Sequence, residues 1–176
     1  MDVLVAKAQK IKLVAFDVDG VLTDGGITYT DNGTEIKTFN AKDGQGMNML
    51  IDCGYITAII TARTSTIIER RAKDLRVTHV YQGAKNKLVA MNELLEKYSL
   101  SFDEVAYVGD DFPDISILDK AGFACCPADA VDEVKNVCHF ISSKNGGNGA
   151  VREAIDFILK SSDKLKCFLF HKALGQ

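Results

Sequence analysis

Apolar residues along the chain fall into short blocks separated by stretches of helical spacing. The blocks at residues 12–18, 56–60, 78–81, 105–108, 123–126 and 139–141 have the length and near-continuity of strands buried on both faces. Between and after them, residues 65–75, 87–98, 115–121, 131–137 and 151–159 space their apolar side chains at three and four, which predicts helices. Strands joined by helical crossovers pair in parallel. The pattern therefore specifies an α/β fold with one central parallel sheet covered on both faces.

One segment breaks the rhythm. Residues 27–30 and 35–39 alternate in polarity around Asp31, Asn32 and Gly33, a turn that needs positive backbone angles. A small β-hairpin flap, spanning about residues 25–39, is expected to project from the sheet. Ser101 and Glu104 have capping-box spacing, which predicts a brief turn before the 105–108 strand. The tail, from about residue 162 to 176, carries four consecutive apolar residues at 167–170. Leaving them in water is costly, so the tail is expected to dock on its own domain or on a neighbouring subunit.

Composition narrows the partners. At 176 residues and 47% hydrophobic, the chain fits one domain, residues 1–176, with no second core or internal repeat. A net charge of -3 argues against a broad basic surface, so nucleic acid is not an expected partner and a small ligand is. No stretch approaches the roughly 20 apolar residues that span a bilayer, and the first ten residues lack the apolar core of a signal peptide. Five cysteines, including the adjacent Cys125 and Cys126, match neither a disulfide framework nor C-x-x-C spacing. Reduced thiols in a cytoplasmic protein are expected. His79, His139 and His171 show no metal spacing and are expected to be structural or surface residues.

The chemistry lies at strand ends. Asp17 and Asp19 close the first apolar block on one side of the strand, and Gly20 follows with the freedom for a sharp turn. Carboxylates crowded at the carboxyl edge of a parallel sheet repel each other unless a cation or a shared proton compensates, and that edge is where such sheets bind ligands. Alone, this D-x-D-G segment also fits an ordinary turn or a fragment of a calcium loop. The calcium reading fails because Thr28 stands where the loop's closing glutamate belongs. A second cluster, Gly109, Asp110, Asp111 and Asp114, follows the 105–108 strand, so tertiary folding can unite both clusters around one hard cation. Thr61 and Arg63 end another strand, and Lys87 opens a helix. Thr61 could simply cap a helix and Lys87 could be solvated, but between two acidic strand ends they suit phosphate.

In this order Asp17-Val-Asp19, Thr61, Lys87 and Gly109-Asp110-Asp111-Phe-Pro-Asp114 resemble the four motifs of the haloacid dehalogenase superfamily of phosphatases. Phe39-Asn-Ala-Lys-Asp43-Gly44-Gln-Gly46, Tyr81-Gln-Gly, Tyr107-Val-Gly and Gly146-Gly-Asn-Gly-Ala-Val-Arg-Glu153 make nearly the whole chain similar to one capless group within it. That group hydrolyses the 8-phosphate of 3-deoxy-D-manno-octulosonate, an acidic sugar of lipopolysaccharide. The resemblance implies a Rossmann-like three-layer α/β/α fold without a separate cap domain, and a homotetramer whose flaps and tails help close each site. It also implies Asp17 as nucleophile, Asp19 as acid/base, and Mg2+ held by Asp17, the Asp19 carbonyl and Asp110. Asp111 and Asp114 would orient these groups. Thr61 and Lys87 would hold phosphoryl oxygens, and the loss of Lys87 is expected to cost activity more than folding. Asn40, Lys42, Asp43 and Gly44 would lie near the phosphate, with Arg63 and Arg71 reaching the sugar acid; of the neighbours Arg70 and Arg71 only one is expected to face inward.

Related enzymes often read Thr-Gly-Arg where this chain has Thr61-Ala62-Arg63, and a basic residue where Asn48 and Asn148 stand. The latter leaves open a nine-carbon, sialic-acid-type 9-phosphate as substrate. A phosphorylation-controlled receiver module also joins acids, a threonine and a lysine on such a sheet, but its phosphoacceptor sits on a later strand and its lysine near the end. A phosphomutase would need a shielding domain that no stretch here is long enough to supply.

Overall fold

The computed structural model describes residues 3–173, with side chains through residue 166 and at 168 and 169. Its strands are β1 (Leu13–Phe16), β2 (Thr28–Tyr29), β3 (Glu35–Ile36), β4 (Ile56–Ile60), β5 (His79–Tyr81), β6 (Val105–Val108), β7 (Phe123–Cys126) and β8 (Phe140–Ile141). The helices are α1 (Val3–Gln9), α2 (Ala41–Asp52), α3 (Thr66–Asp74), α4 (Lys87–Tyr98), α5 (Ile115–Leu118), α6 (Asp132–Val137), α7 (Ala150–Ser161) and α8 (Lys164–Ala173). Six strands form one parallel sheet in the order β5-β4-β1-β6-β7-β8, and β2 pairs with β3 as the separate antiparallel hairpin.

Period-two alternation divides the core. Val14 and Phe16 of β1 face Met47, Leu50, Ile68, Val151, Ile155 and Ile158 of α2, α3 and α7, whereas Leu13 and Ala15 face Met91, Leu94, Ile117 and Val134 of α4, α5 and α6. Both faces are covered, so every residue of β1, β6 and β7 is buried and their sequences read as continuous apolar runs.

Three helices go beyond the apolar pattern. In α2 the weak helix formers Gly44 and Gly46 each cost about 1 kcal/mol relative to alanine, but a side chain at either would crowd its neighbours. A Cβ on Gly44 would overlap the Arg71 guanidinium, and one on Gly46 would press on Arg152 and Ile155. The helix starts where the Asn40 side chain accepts a hydrogen bond from the Lys42 N–H at 2.8 Å. The second is α1, which buries Ala8 alone among its residues. The tail forms α8, whose Leu165 and Phe168 pack partly against the core while Leu169 is exposed. Its residues 174–176 lie outside the described segment.

The first strand is shorter than its apolar run. After Phe16 the chain coils so that the N–H groups of Val21, Leu22 and Thr23 all point to the carbonyl of Val18. That turn brings Asp19 back over the sheet edge. The expected turn at 101–104 is present, with the Ser101 N–H donating to Glu104 at 3.0 Å. In the hairpin turn Gly33 alone takes a positive φ, of 82°.

Candidate active site

Strand order assembles the site. Because β1 lies between β4 and β6, their carboxyl ends bring together Asp17, Thr61 and Asp110, and α4 delivers Lys87 from beside β5. A cleft of about 180 Å³ is lined by Asp17, Asp19, Thr61, Ala62, Arg63, Lys87, Asp110, Asp111 and Pro113. The catalytic and metal residues expected from the sequence thus meet in one place.

Buried charge dominates the floor. Lys87, 3% exposed, sits 2.8 Å from Asp17 Oδ2 and 2.7 Å from Asp114 Oδ1. Asp114 is fully buried and saturated: its Oδ1 also accepts from the Tyr107 hydroxyl at 2.7 Å, and its Oδ2 from the N–H groups of Asp110 and Asp111 at 3.1 and 3.3 Å. Burial, then repulsion from Asp114, pushes the Asp17 carboxyl up to about 6 against the pull of Lys87. Burial, then Asp114 and Asp17, pushes Asp110 up to about 8. For Lys87 burial acts downward, but the two carboxylates outweigh it and its pKa is raised.

Three carboxylates and one ammonium leave an excess of negative charge. Asp17, Asp110 and Asp114 each present an oxygen within 4.8 Å of the others. Asp110 Oδ1 is buried without a hydrogen-bond partner among the described residues. An orphaned carboxylate oxygen beside a second carboxylate is the donor set that a hard divalent cation satisfies. Because Asp114 is already saturated, Asp17 and Asp110 are the side chains free to serve. Gly20 makes room for them: at φ 86° it takes a conformation few side chains tolerate, and a Cβ there would overlap the Asp110 carboxylate.

The hairpin roofs the cleft. Glu35 accepts from the Ser65 hydroxyl at 2.7 Å and from Arg63 at 2.9 Å, and the Ser65 bond is the foremost reason its pKa is lowered. Arg63 also donates to the Tyr29 hydroxyl at 3.0 Å. Lys37, whose side chain is 1% exposed, is paired with Asp19. The sequence reading did not single out Glu35 or Lys37. Alternation held the signal, since it places both on the face opposite exposed Ile36.

Several residues expected near the phosphate lie elsewhere. Asp43 is 1% exposed, and its carboxylate accepts from the N–H groups of Gly149 and Arg152 at 3.2 and 2.8 Å. It tethers the start of α7 and does not line the cleft. Asn40 caps α2 and donates to the Gly147 carbonyl at 3.2 Å, and Gly44 is buried under Arg71. Lys42 lines a separate cavity of about 510 Å³ with Asn148, Arg152 and Lys160. Arg71 is the inward-facing member of its pair, set over the Phe39 ring while Arg70 is exposed. Of the expected sugar-acid contacts, Arg63 lines the cleft. His79 bonds the Tyr98 hydroxyl at 2.6 Å, and His139 accepts from the Ala124 N–H at 2.9 Å. Cys125 and Cys126 are buried free thiols.

The chain matches the haloacid dehalogenase-like hydrolase family over residues 76–155, the segment that supplies Lys87, Tyr107, Asp110 and Asp114. It is 42% identical over 162 residues to the 3-deoxy-D-manno-octulosonate 8-phosphate phosphatase of Escherichia coli (strain K12), covering 92% of this chain and 86% of that one. The crystal structure of the Moraxella catarrhalis 3-deoxy-D-manno-octulosonate 8-phosphate phosphatase, in complex with magnesium, phosphate and KDO, superposes with a TM-score of 0.94. That match is at 41% identity, over all of this chain and 99% of the other. The cobalt-bound Haemophilus influenzae deoxy-D-mannose-octulosonate 8-phosphate phosphatase superposes at 0.86 with 39% identity, over 90% and 92% of the two chains. Sequence identity sustained over nearly the whole length, together with this fold, places the chain in the 3-deoxy-D-manno-octulosonate 8-phosphate phosphatase family of haloacid dehalogenase-like hydrolases.

Proposed function

We propose that this chain is a magnesium-dependent phosphatase that releases phosphate from 3-deoxy-D-manno-octulosonate 8-phosphate, serving lipopolysaccharide synthesis. The observation that carries the reading is Asp17 held against buried Lys87 beside the orphaned oxygen of Asp110, in a chain whose relatives bear this substrate's name. Asp17 attacks phosphorus and the bond to the sugar oxygen breaks, leaving an aspartyl-phosphate. Asp19 gives its proton to the departing oxygen, then takes one from the water that cleaves the Asp17–phosphorus bond. Thr61 and Lys87 hold the phosphoryl oxygens, and Arg63, at the cleft mouth, meets the sugar carboxylate. Bound magnesium, with Asp17, Asp110 and the Asp19 backbone carbonyl as ligands, would neutralise charge building on the phosphoryl oxygens.

The described residues support a single domain around one sheet. Exposed Ile27, Tyr29 and Ile36 on the hairpin support contact between copies, in keeping with a homotetramer. Buried free thiols suit the cytoplasm, and among the described residues no helix is long and apolar enough to cross a membrane.

Phosphate release should be measured with magnesium from this 8-phosphate and from a nine-carbon sialic-acid-type 9-phosphate. A strong preference for the first is expected; preference for the second would move the substrate while keeping the chemistry, and silence from both would sink the proposal.

Magnesium and pH should act together. Unfolded aspartates lose their protons near 3.8, whereas Asp17 and Asp110 in the fold do so at about 6 and about 8. Between these values the folded chain binds more protons than the unfolded one, so the metal-free fold loses stability as pH rises from about 4 through 8. Magnesium must displace those protons, and its stabilisation is expected to grow between about pH 5.5 and 8.5. Thermal melts with and without the ion read this directly; a gain that stays flat across the range contradicts the charge arrangement.

A further inference from the structure

We infer that Lys37, the residue after β3 of the hairpin, is a positioning residue that fixes the Asp19 carboxylate with one oxygen gripped and the other left to carry the proton. This rests on the function proposed above and adds to it a residue that neither motif nor cleft lining pointed to. The ammonium of Lys37 pairs with Asp19 Oδ1 and lies 3.5 Å from Glu35 Oε1, on a side chain that is only 1% exposed. Asp19 Oδ2, in contrast, is buried and has no hydrogen-bond partner among the described residues. Arg63 Nε lies 3.6 Å from it, beyond hydrogen-bond reach.

A carboxylate on a short side chain can turn about its last bond and present either oxygen. Proton transfer needs one oxygen within hydrogen-bond reach of the moving proton at the moment of reaction. The pairing with Lys37 removes that freedom. Lys37 is itself held, because Glu35, two residues earlier on the same face, is fastened to Ser65 and Arg63 of the loop after β4. The hairpin therefore reaches the Asp19 carboxylate through Lys37, while its Tyr29 and Glu35 hold Arg63. In the first displacement the bond between phosphorus and the sugar oxygen breaks as Asp17 bonds to phosphorus, and the proton on Oδ2 moves to the departing oxygen. In the second, a water proton returns to Oδ2 as the Asp17–phosphorus bond breaks.

The alternative is that Lys37 only fastens the hairpin, and leaving groups separate the two. A sugar alkoxide needs a proton to depart, whereas nitrophenolate leaves without one. With the full chain and magnesium, Lys37→Met is expected to lower kcat for the sugar 8-phosphate by about 10- to 100-fold, with KM within about threefold. Under single-turnover conditions its release of nitrophenolate from p-nitrophenyl phosphate is expected to stay within about threefold of wild type, because that step draws no proton from Asp19. Glu35→Gln, which weakens the hold on Lys37 and on Arg63 but keeps the Lys37 ammonium, is expected to show the same selective loss of kcat on the sugar ester at smaller size, about three- to tenfold, together with a raised KM. Equal losses on the two esters in Lys37→Met, a change confined to KM, or an unchanged kcat each overturn the inference. A wild type inactive on the sugar ester yet active on the nitrophenyl ester overturns the substrate reading instead, and a simple alkyl phosphate then takes the sugar ester's place in the same comparison.

Discussion

Asp17→Asn is expected to abolish turnover of the sugar-acid 8-phosphate, by at least about 10⁴-fold, and to leave the fold at least as stable as wild type. The amide keeps the shape of the carboxylate and can still accept from Lys87, but it cannot form the acyl phosphate. The stability half follows from the charges. Burial and the neighbouring Asp114 already push Asp17 up to about 6, so its ionised form is unfavourable where it stands, and an uncharged side chain removes that repulsion. Steady-state phosphate release and thermal melts at about pH 8 test both halves. Residual activity above about 1% of wild type would show that another group forms the intermediate.

The second large effect is expected at Lys87. Lys87→Met should lower turnover by about 10³-fold or more, since it removes the cation that meets Asp17 and that is proposed to hold the phosphoryl group. It should also destabilise the fold by about 3 kcal/mol, lowering Tm by roughly 6–12 °C in a chain of this size. From the sequence the cost was expected in activity more than in folding, because the resemblance implied that Lys87 holds phosphoryl oxygens. Here the ammonium is 3% exposed between two carboxylates, so its loss leaves Asp114 buried with uncompensated charge. A double variant, Lys87→Met with Asp114→Asn, is expected to recover much of the stability and none of the activity. If Lys87→Met melted like wild type, the buried ion pair would not be the support described.

What could be read from the sequence was what depends on local pattern. The runs at 56–60, 105–108 and 123–126 became strands with those bounds, because a strand buried on both faces must be apolar throughout. Asp17, Thr61, Lys87 and Asp110 were legible because strand ends in a parallel sheet share one edge. Helix α2 was not, since its two glycines weaken the local signal and what favours the helix is the burial of Met47, Met49 and Leu50 against elements distant in sequence. Asp43 stood in a motif that suggested substrate, but its partners are the N–H groups of α7, which no spacing reveals. Lys37 was hidden for the same reason: alternation shows that it shares a face with Glu35, but only the folded hairpin brings that face to Asp19.

The position of β1 also bears on how the molecule comes to work. It is the first strand of the chain yet sits in the middle of the sheet, with Leu13 opposite Ile56 on one side and Val105 on the other. Pairings so far apart in sequence must overcome loop-closure entropy before they are rewarded, which makes such sheets slow to form. A chain emerging from the ribosome therefore carries its nucleophile long before it carries the strand that brings Asp110 and Asp114. The cleft is complete only when β6 has joined β1, so a chain that lacks that strand is expected to be without hydrolytic activity.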